Sequence, residues 1–438
     1  MKDKIKQQRG WYIYDWAVSA FTTTVITVFI GPYLTTIADN AAVDGQLNIL
    51  GMNIFSGSFF PYCVSFSVIL QVVLLPWLGA LADYSNRKKQ LLGIFAYIGS
   101  FATMGMFFLE GTNFLLGGVL LIVSNLAFGA SMVFYNAFLN EIAEPDERDK
   151  VSSNGYAVGY LGGGLLLALN LVLVMQAENF GLTTGIAVRI SLVSAGLWWA
   201  VFTIVPLIRL KSISPIKKLP KDTNTLVFGF RQIINTIKDS FKYPKTLMFI
   251  VAYMLYNDGV QSVIVVSSQF GQEALGLEIS TLTTVILMVQ FVAFGGAKFF
   301  DYLASKFTTK NALMVSIFIW ILCVTYAYMF LNSTAGFYGL GAVIGLVLGG
   351  TQALSRSLYS QMIPKGKESE YFSLYEISER GTSWLGPLFF GLSLQFTGSY
   401  RIAIFSLGIF FVAGLIMLFK VNVRQAIIEV GNVPPKNA

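Results

Sequence analysis

The chain has 438 residues, 55% hydrophobic and only 12% charged, with no histidine and two cysteines. Soluble domains carry roughly a quarter of their residues as charges, so composition excludes a water-soluble globular protein. The missing histidine and the isolated Cys63 and Cys323 exclude His/Cys metal centres, catalysis by a histidine base and a disulfide framework.

A spanning helix needs about 20 apolar residues, and such runs follow one another along the chain. In order, the expected spans are 11–38, 57–82, 91–109, 114–139, 151–177, 187–208, 246–270, 280–300, 312–331, 336–362, 371–396 and 401–420. The first is too long for a signal-peptide core and carries Asp15, so it reads as an uncleaved span. A hydrophilic segment at 209–245 separates spans six and seven; within it Leu226–Ile237 is apolar enough for a short amphipathic surface helix.

Charge placement tests this division. The amino terminus, the surroundings of the even-to-odd loops and the carboxy terminus hold all the Lys and Arg except Arg189, Arg356, Arg380 and Arg401. The positive-inside bias puts both termini and the central segment in the cytoplasm, and the protein in a cell membrane, plasma or inner. The net charge of +7 is thereby explained by topology, with no nucleic-acid partner.

The chain also repeats itself about half its length later. Asp83-Tyr84 follows span two and Asp301-Tyr302 follows span eight; Pro145 and Pro364 open the charged loops after spans four and ten; Arg189 and Arg401 begin spans six and twelve. Two six-helix halves, 1–208 and 246–438, joined by a linker at 209–245, fit this pattern. Spans three, six, nine and twelve have cores free of Asp, Glu, Asn, Gln, Lys and Arg. Polar groups are costly in lipid, so these four are expected to face lipid and the other eight a polar cavity.

The run from Gly79 to Lys89, GALADYSNRKK, resembles the loop signature between spans two and three of the major facilitator superfamily. The opening from Arg9 to Phe21 is similar to that of the vacuole effluxer family, which includes the autophagy-related vacuolar amino-acid permeases of fungi. So are Phe134–Leu139, Gly159–Gly163, Leu255–Gly259, Trp384–Pro387 and Thr397–Arg401. The resemblance implies an all-α membrane protein of the major facilitator fold, and its fungal members imply efflux of neutral amino acids. In proteins sharing the loop signature, the acid and basic cluster form a cytoplasmic gate with an acidic residue ending span four. Here that implies Gly79, Asp83, Arg87 and Lys88 with Glu141, or Glu144 in its stead. Asn86 replaces the signature's usual glycine, and Ala297 replaces the leading glycine of the second copy. Gly155, Gly159, Gly162, Gly163 and Gly164 resemble the superfamily's antiporter signature, with Tyr160 where that has proline; close helix packing by small residues explains them equally.

Asp258 lies about 12 residues into span seven, near mid-membrane at ~1.5 Å per residue. A carboxylate there is expensive and marks a candidate for proton coupling or substrate contact; pinning span seven to a neighbour is the alternative. Asn257 and Gln261 share its helix. Arg380 sits at similar depth in span eleven, one turn after Glu376, in the favourable order for an ion pair. It could receive a substrate carboxylate, or the pair could neutralise itself. Asp15, near the expected start of span one, suits stabilisation of a helix N-terminus as well as transport. Gln71 and Gln290 are cavity ligands or interhelical bonds.

The expectation is a secondary active transporter, proton-coupled, moving a small solute such as a neutral amino acid by alternating access. It would need no cofactor, metal or catalytic residue; its partners would be the solute, the bilayer and protons, and a monomer suffices. A uniporter or drug-like effluxer is the alternative within transport, and a non-transporting sensor or scaffold the alternative outside it. An enzyme is excluded by the lack of any nucleotide loop or ligand cluster.

Overall fold

The computed structural model describes residues 2–49, 51–56, 59–83, 87–211, 238–380 and 385–435. Long apolar runs can satisfy their backbone in lipid only as helices here, and helices follow. They are α1 (Lys2–Ala20), α2 (Ile30–Ala41), α3 (Phe59–Asp83), α4 (Lys88–Gly105), α5 (Phe114–Ala137), α6 (Leu139–Ile142), α7 (Arg148–Met175) and α8 (Thr184–Arg209). After the linker come α9 (Pro244–Leu275), α10 (Ile279–Lys306), α11 (Thr309–Met329), α12 (Thr334–Gln361), α13 (Glu368–Arg380), α14 (Leu385–Thr397), α15 (Tyr400–Ser406), α16 (Gly408–Lys420) and α17 (Val423–Glu429).

Among the described residues, 11 helices are long and apolar enough to cross a membrane. The remaining expected span, 371–396, is supplied by α13 and α14, on either side of 381–384, which lie outside the described residues. The amphipathic helix expected at Leu226–Ile237 also lies outside them.

Span one differs from expectation. Its helix begins at Lys2, and α1 and α2 are joined by a π-helical stretch, Phe21–Phe29, in which the Thr27 hydroxyl donates to the Thr22 carbonyl five residues back at 2.8 Å. A hairpin was not foreseen: β1 (Gln46–Ile49) pairs antiparallel with β2 (Met52–Phe55), Ile49 facing Met52. Gly51 has φ +84°, which a side chain would resist.

Contacts divide the chain into two compact units. One comprises residues 1–78, 86–135 and 158–214; the other comprises 79–85, 136–157 and 215–438. In the first, α8 packs on α1 and α4. Small residues permit the approach: a Cβ on Gly99 would strike the ring of Trp199, and one on Gly196 the Ser100 carbonyl at 2.8 Å. Gly159 and Gly162 lie likewise against Asp15, Trp16 and Ser19 of α1. In the second unit, α16 packs on α9 and α11, with Trp320 stacked on Phe411 at 5.5 Å, and α10 packs on α12 through Gly296, Gly345 and Gly349. The last span of each set thus joins the first and third.

The spans with apolar cores carry exposed apolar side chains at helical spacing. These include Ile94, Ile98 and Phe101 in α4, Val315, Phe318 and Leu322 in α11, and Ile409, Val412, Ile416 and Phe419 in α16. A lipid-facing stripe has this form.

Candidate functional site

Asp258 is the fifteenth residue of α9, a 32-residue helix, and it is 1% exposed. Among the described residues no side chain bonds either of its carboxylate oxygens, which face only the Gly386 backbone without a well-formed hydrogen bond, and the Ser262 hydroxyl one turn along is buried without a partner too. Gly386 in α14 creates the space: a Cβ there would overlap Ser262 Oγ and stand 3.2 Å from Asp258 Oδ2. A buried, unbonded carboxylate costs several kcal/mol or takes up a proton. The neighbouring Asn257 is spoken for, since its Nδ2 donates to the Glu379 carbonyl at 3.2 Å and so ties α9 to the end of α13. Gln261 is half-buried beside them.

Toward the start of α9 the wall is aromatic. Tyr253 stacks on Tyr375 at 4.3 Å, Tyr375 on Tyr359 at 5.2 Å, and the Tyr256 hydroxyl meets Ser355 Oγ at 2.6 Å. Arg380 closes α13, and its side chain lies outside the described residues, as does the expected pairing with Glu376. Glu376 accepts from Asn136 Nδ2 at 2.7 Å.

Asn136 leads to a residue that sequence reasoning noticed only as an exception to the charge pattern. Arg356, in α12, is fully buried. Its Nε donates to Ser152 Oγ and one terminal nitrogen to the Ser152 carbonyl, both at 2.9 Å; the other terminal nitrogen reaches Asn136 Oδ1 at 3.4 Å. The guanidinium lies over the Tyr156 ring at 4.0 Å. Arg148 extends the network, donating to the Ser360 carbonyl at 2.9 Å, and Asp149 accepts from the hydroxyls of Ser357 and Thr309. No local signal marks these residues, because their partners lie some 200 residues away.

Gly79, Asp83, Arg87, Lys88 and Glu141, the cytoplasmic gate that the loop signature implies, lie on or beside α3, α4 and α6. Asp83 is buried and accepts the backbone N–H groups of Ser369 at 3.0 Å and Glu370 at 2.8 Å, acting as an N-cap for α13. A carboxylate suits the positive end of a helix. Gly79, one turn earlier, is obligatory to this approach, since a Cβ would meet the Ser369 carbonyl oxygen at 2.6 Å. Arg87 is exposed at the N-cap of α4, Lys88 opens that helix, and Glu141 is half-buried in α6.

In the other unit Asp15 is not at a helix N-terminus, because α1 starts at Lys2, 13 positions earlier than Asp15. It accepts from the Tyr135 hydroxyl at 2.7 Å, while Trp11 stacks on the same ring at 4.4 Å. Gln71 donates to the Asn125 carbonyl at 3.2 Å, an interhelical bond, and its Oε1 is buried without a partner among the described residues. Gln290 of α10 likewise has a buried Oε1 without one. Among the described residues no group of three or more His, Cys, Asp or Glu could hold a metal ion.

Solved major facilitator structures share this fold at low identity. A bacterial homologue of the iron transporter ferroportin, in an outward-facing state, has TM-score 0.68 at 14% identity, covering 96% of this chain and 99% of its own. FucP in the outward conformation has TM-score 0.66 at 11% identity, covering 95% and 98%. In sequence, the uncharacterized MFS-type transporter YxiO of Bacillus subtilis (strain 168) is 31% identical over 420 residues, 95% of each chain. Autophagy-related protein 22-1 of Penicillium rubens is 25% identical over 540 residues, covering 96% of this chain and 90% of its own. The family model described as vacuole effluxer Atg22 like matches residues 3–431. The chain belongs to the vacuole effluxer Atg22-like family and is a multi-pass membrane transporter of the major facilitator type.

Proposed function

We propose that the protein is a proton-coupled secondary transporter of a small solute, a neutral amino acid in the first instance, with Asp258 as the proton-carrying group. The observation that carries this reading is the buried Asp258 carboxylate, midway along α9, with no side-chain partner and no well-formed hydrogen bond among the described residues. A purely structural acid would be expected to have its acceptors filled. The aromatic wall of Tyr253, Tyr375 and Tyr359 offers an apolar side chain a surface, and Arg380 is the candidate for the substrate carboxylate. The family's description as vacuole effluxer favours efflux. In this reading the halves 1–208 and 246–438 rock about the linker, both termini face the cytoplasm, the protein works as a monomer in the cell membrane, and the Asp83 and Arg356 bonds latch the cytoplasmic side.

Solute counterflow in proteoliposomes tests this. Vesicles holding wild type or Asp258→Asn are preloaded with unlabelled amino acids and offered labelled ones. Saturable counterflow that survives the substitution, with proton-driven uptake abolished, is the expected result. Proton-driven uptake undiminished in Asp258→Asn removes the coupling role, and no counterflow of any amino acid by folded protein removes the substrate class.

A further inference from the structure

A polar cavity of about 440 Å³ lies at the ends of α11 and α16, with Asp258 not in its lining. Its lining includes Lys310, Lys420 and Arg424, together with Thr308, Asn311 and Phe419. Lys420 and Arg424 are exposed, whereas Lys310 is half-buried and fixed by donating to the carbonyls of Phe419 and Val421, both at 2.8 Å. That staple positions one cation inside the cavity and leaves the two flexible ones at its mouth.

Carboxylates near the cavity are already engaged. Asp149 accepts from Thr309 and Ser357, and Glu429, on the helix that carries Arg424, pairs with Lys245 at 2.6 Å. Among the described residues the lining holds three cations and no acid. It also sits where α11 begins and α16 ends, so one side is continuous with the exposed apolar residues Phe419, Ile416 and Val412 on α16 and Val315 on α11. A cationic recess at the polar edge of an apolar belt matches the two parts of a phospholipid: phosphate in the recess, acyl chains along the stripe.

We infer that this cavity binds the phosphate headgroup of an anionic phospholipid from the leaflet facing the central linker. Free phosphate shares the headgroup's chemistry but lacks acyl chains to use the Phe419–Ile416 stripe, so the lipid is the ligand the surroundings favour. The site is separate from the transport pathway, and the inference stands whether or not Asp258 carries protons.

The test uses the full chain purified in detergent, with bound lipid counted by native mass spectrometry after addition of phosphatidylglycerol or phosphatidylcholine. Wild type should retain phosphatidylglycerol preferentially. Lys420→Gln/Arg424→Gln should retain it about 25-fold less, each surface cation contributing about a factor of five. A charge-matched control, Lys6→Gln/Lys365→Gln, should behave as wild type, and thermal melting without added lipid should show all three proteins equally folded. Equal retention of the two lipids, or undiminished retention by Lys420→Gln/Arg424→Gln, would overturn the site. Inorganic phosphate that stabilises the protein as strongly as phosphatidylglycerol, in the absence of lipid, would overturn the lipid assignment.

Discussion

Asp83 and Glu370 are joined by a 2.8 Å hydrogen bond in which a carboxylate at the end of α3 accepts the backbone N–H in the first turn of α13. A cap of this kind is worth about 0.5–2 kcal/mol, and it acts only while the two helix ends stay together. Asp83→Ala should therefore favour separation by about five-fold. Maleimide labelling of Ser360→Cys, in a Cys63→Ser/Cys323→Ser background, reports this, because Ser360 is fully buried beside Arg148. An unchanged labelling rate in Asp83→Ala would mean the cap does not hold the two helix ends together.

Gly386 gives a prediction of a different kind. Ala at this position would drive its Cβ into Ser262 Oγ and to 2.6 Å from Ser262 Cβ. Overpacking of this order costs about 1–3 kcal/mol. Gly386→Ala should lower the melting temperature in detergent, and Ser262→Gly in the same chain should restore most of the loss. Additive losses in the double variant would place the strain elsewhere.

Arg356 is held by planar, forked bonds to both the side chain and carbonyl of Ser152, with Tyr156 beneath it. Lysine cannot reproduce that fork. Arg356→Lys should therefore destabilise by about 2 kcal/mol despite keeping the charge, which chemical denaturation or melting would show. Asn136→Ala should cost less, since the Arg356–Asn136 bond is long at 3.4 Å, although it also frees Glu376 from a 2.7 Å bond.

What could be read from the sequence follows range in sequence. Spans were legible because their apolar runs are continuous, and Asp258 because a lone carboxylate mid-span is conspicuous. The space that leaves it unbonded was not, since Gly386 comes from a helix more than a hundred residues later. Asp15 was misplaced for a local reason: the polar run Lys2–Gly10 hides the true start of α1. The hairpin at Gln46–Phe55 escaped because strands of four residues show too little alternation to register. Arg356 stood out as a charge within a span, but its meaning resides in Asn136 and Ser152.

Asp239 predicts a dependence on pH. Burial alone would raise its carboxyl, but hydrogen bonds and charge from Lys367 and Lys242 outweigh burial and hold it below the ordinary 3.8. A depressed carboxyl stabilises the folded state above its unfolded value, and that contribution is lost as pH falls through the folded one. Melting temperature should fall more steeply below pH 4 in wild type than in Asp239→Asn. Parallel acid profiles would exclude this contribution.

Arg189 donates to the Phe107 carbonyl and pairs with Glu110 at 2.7 Å, at the far end of α4. Arg401 does the same service for α11, reaching the carbonyls of Ala327, Tyr328 and Leu331 and the side chain of Asn332. In each case a helix made early in its set is finished by an arginine at the start of the last. During synthesis on the ribosome, the carbonyls at the end of α4 must wait about eighty residues for their partner, and those of α11 about seventy. A nascent chain halted before Arg189 would expose that end to proteolysis, and one extended past it would be sealed. Arrival of the sixth span, rather than of the third, is then the event that completes the first set.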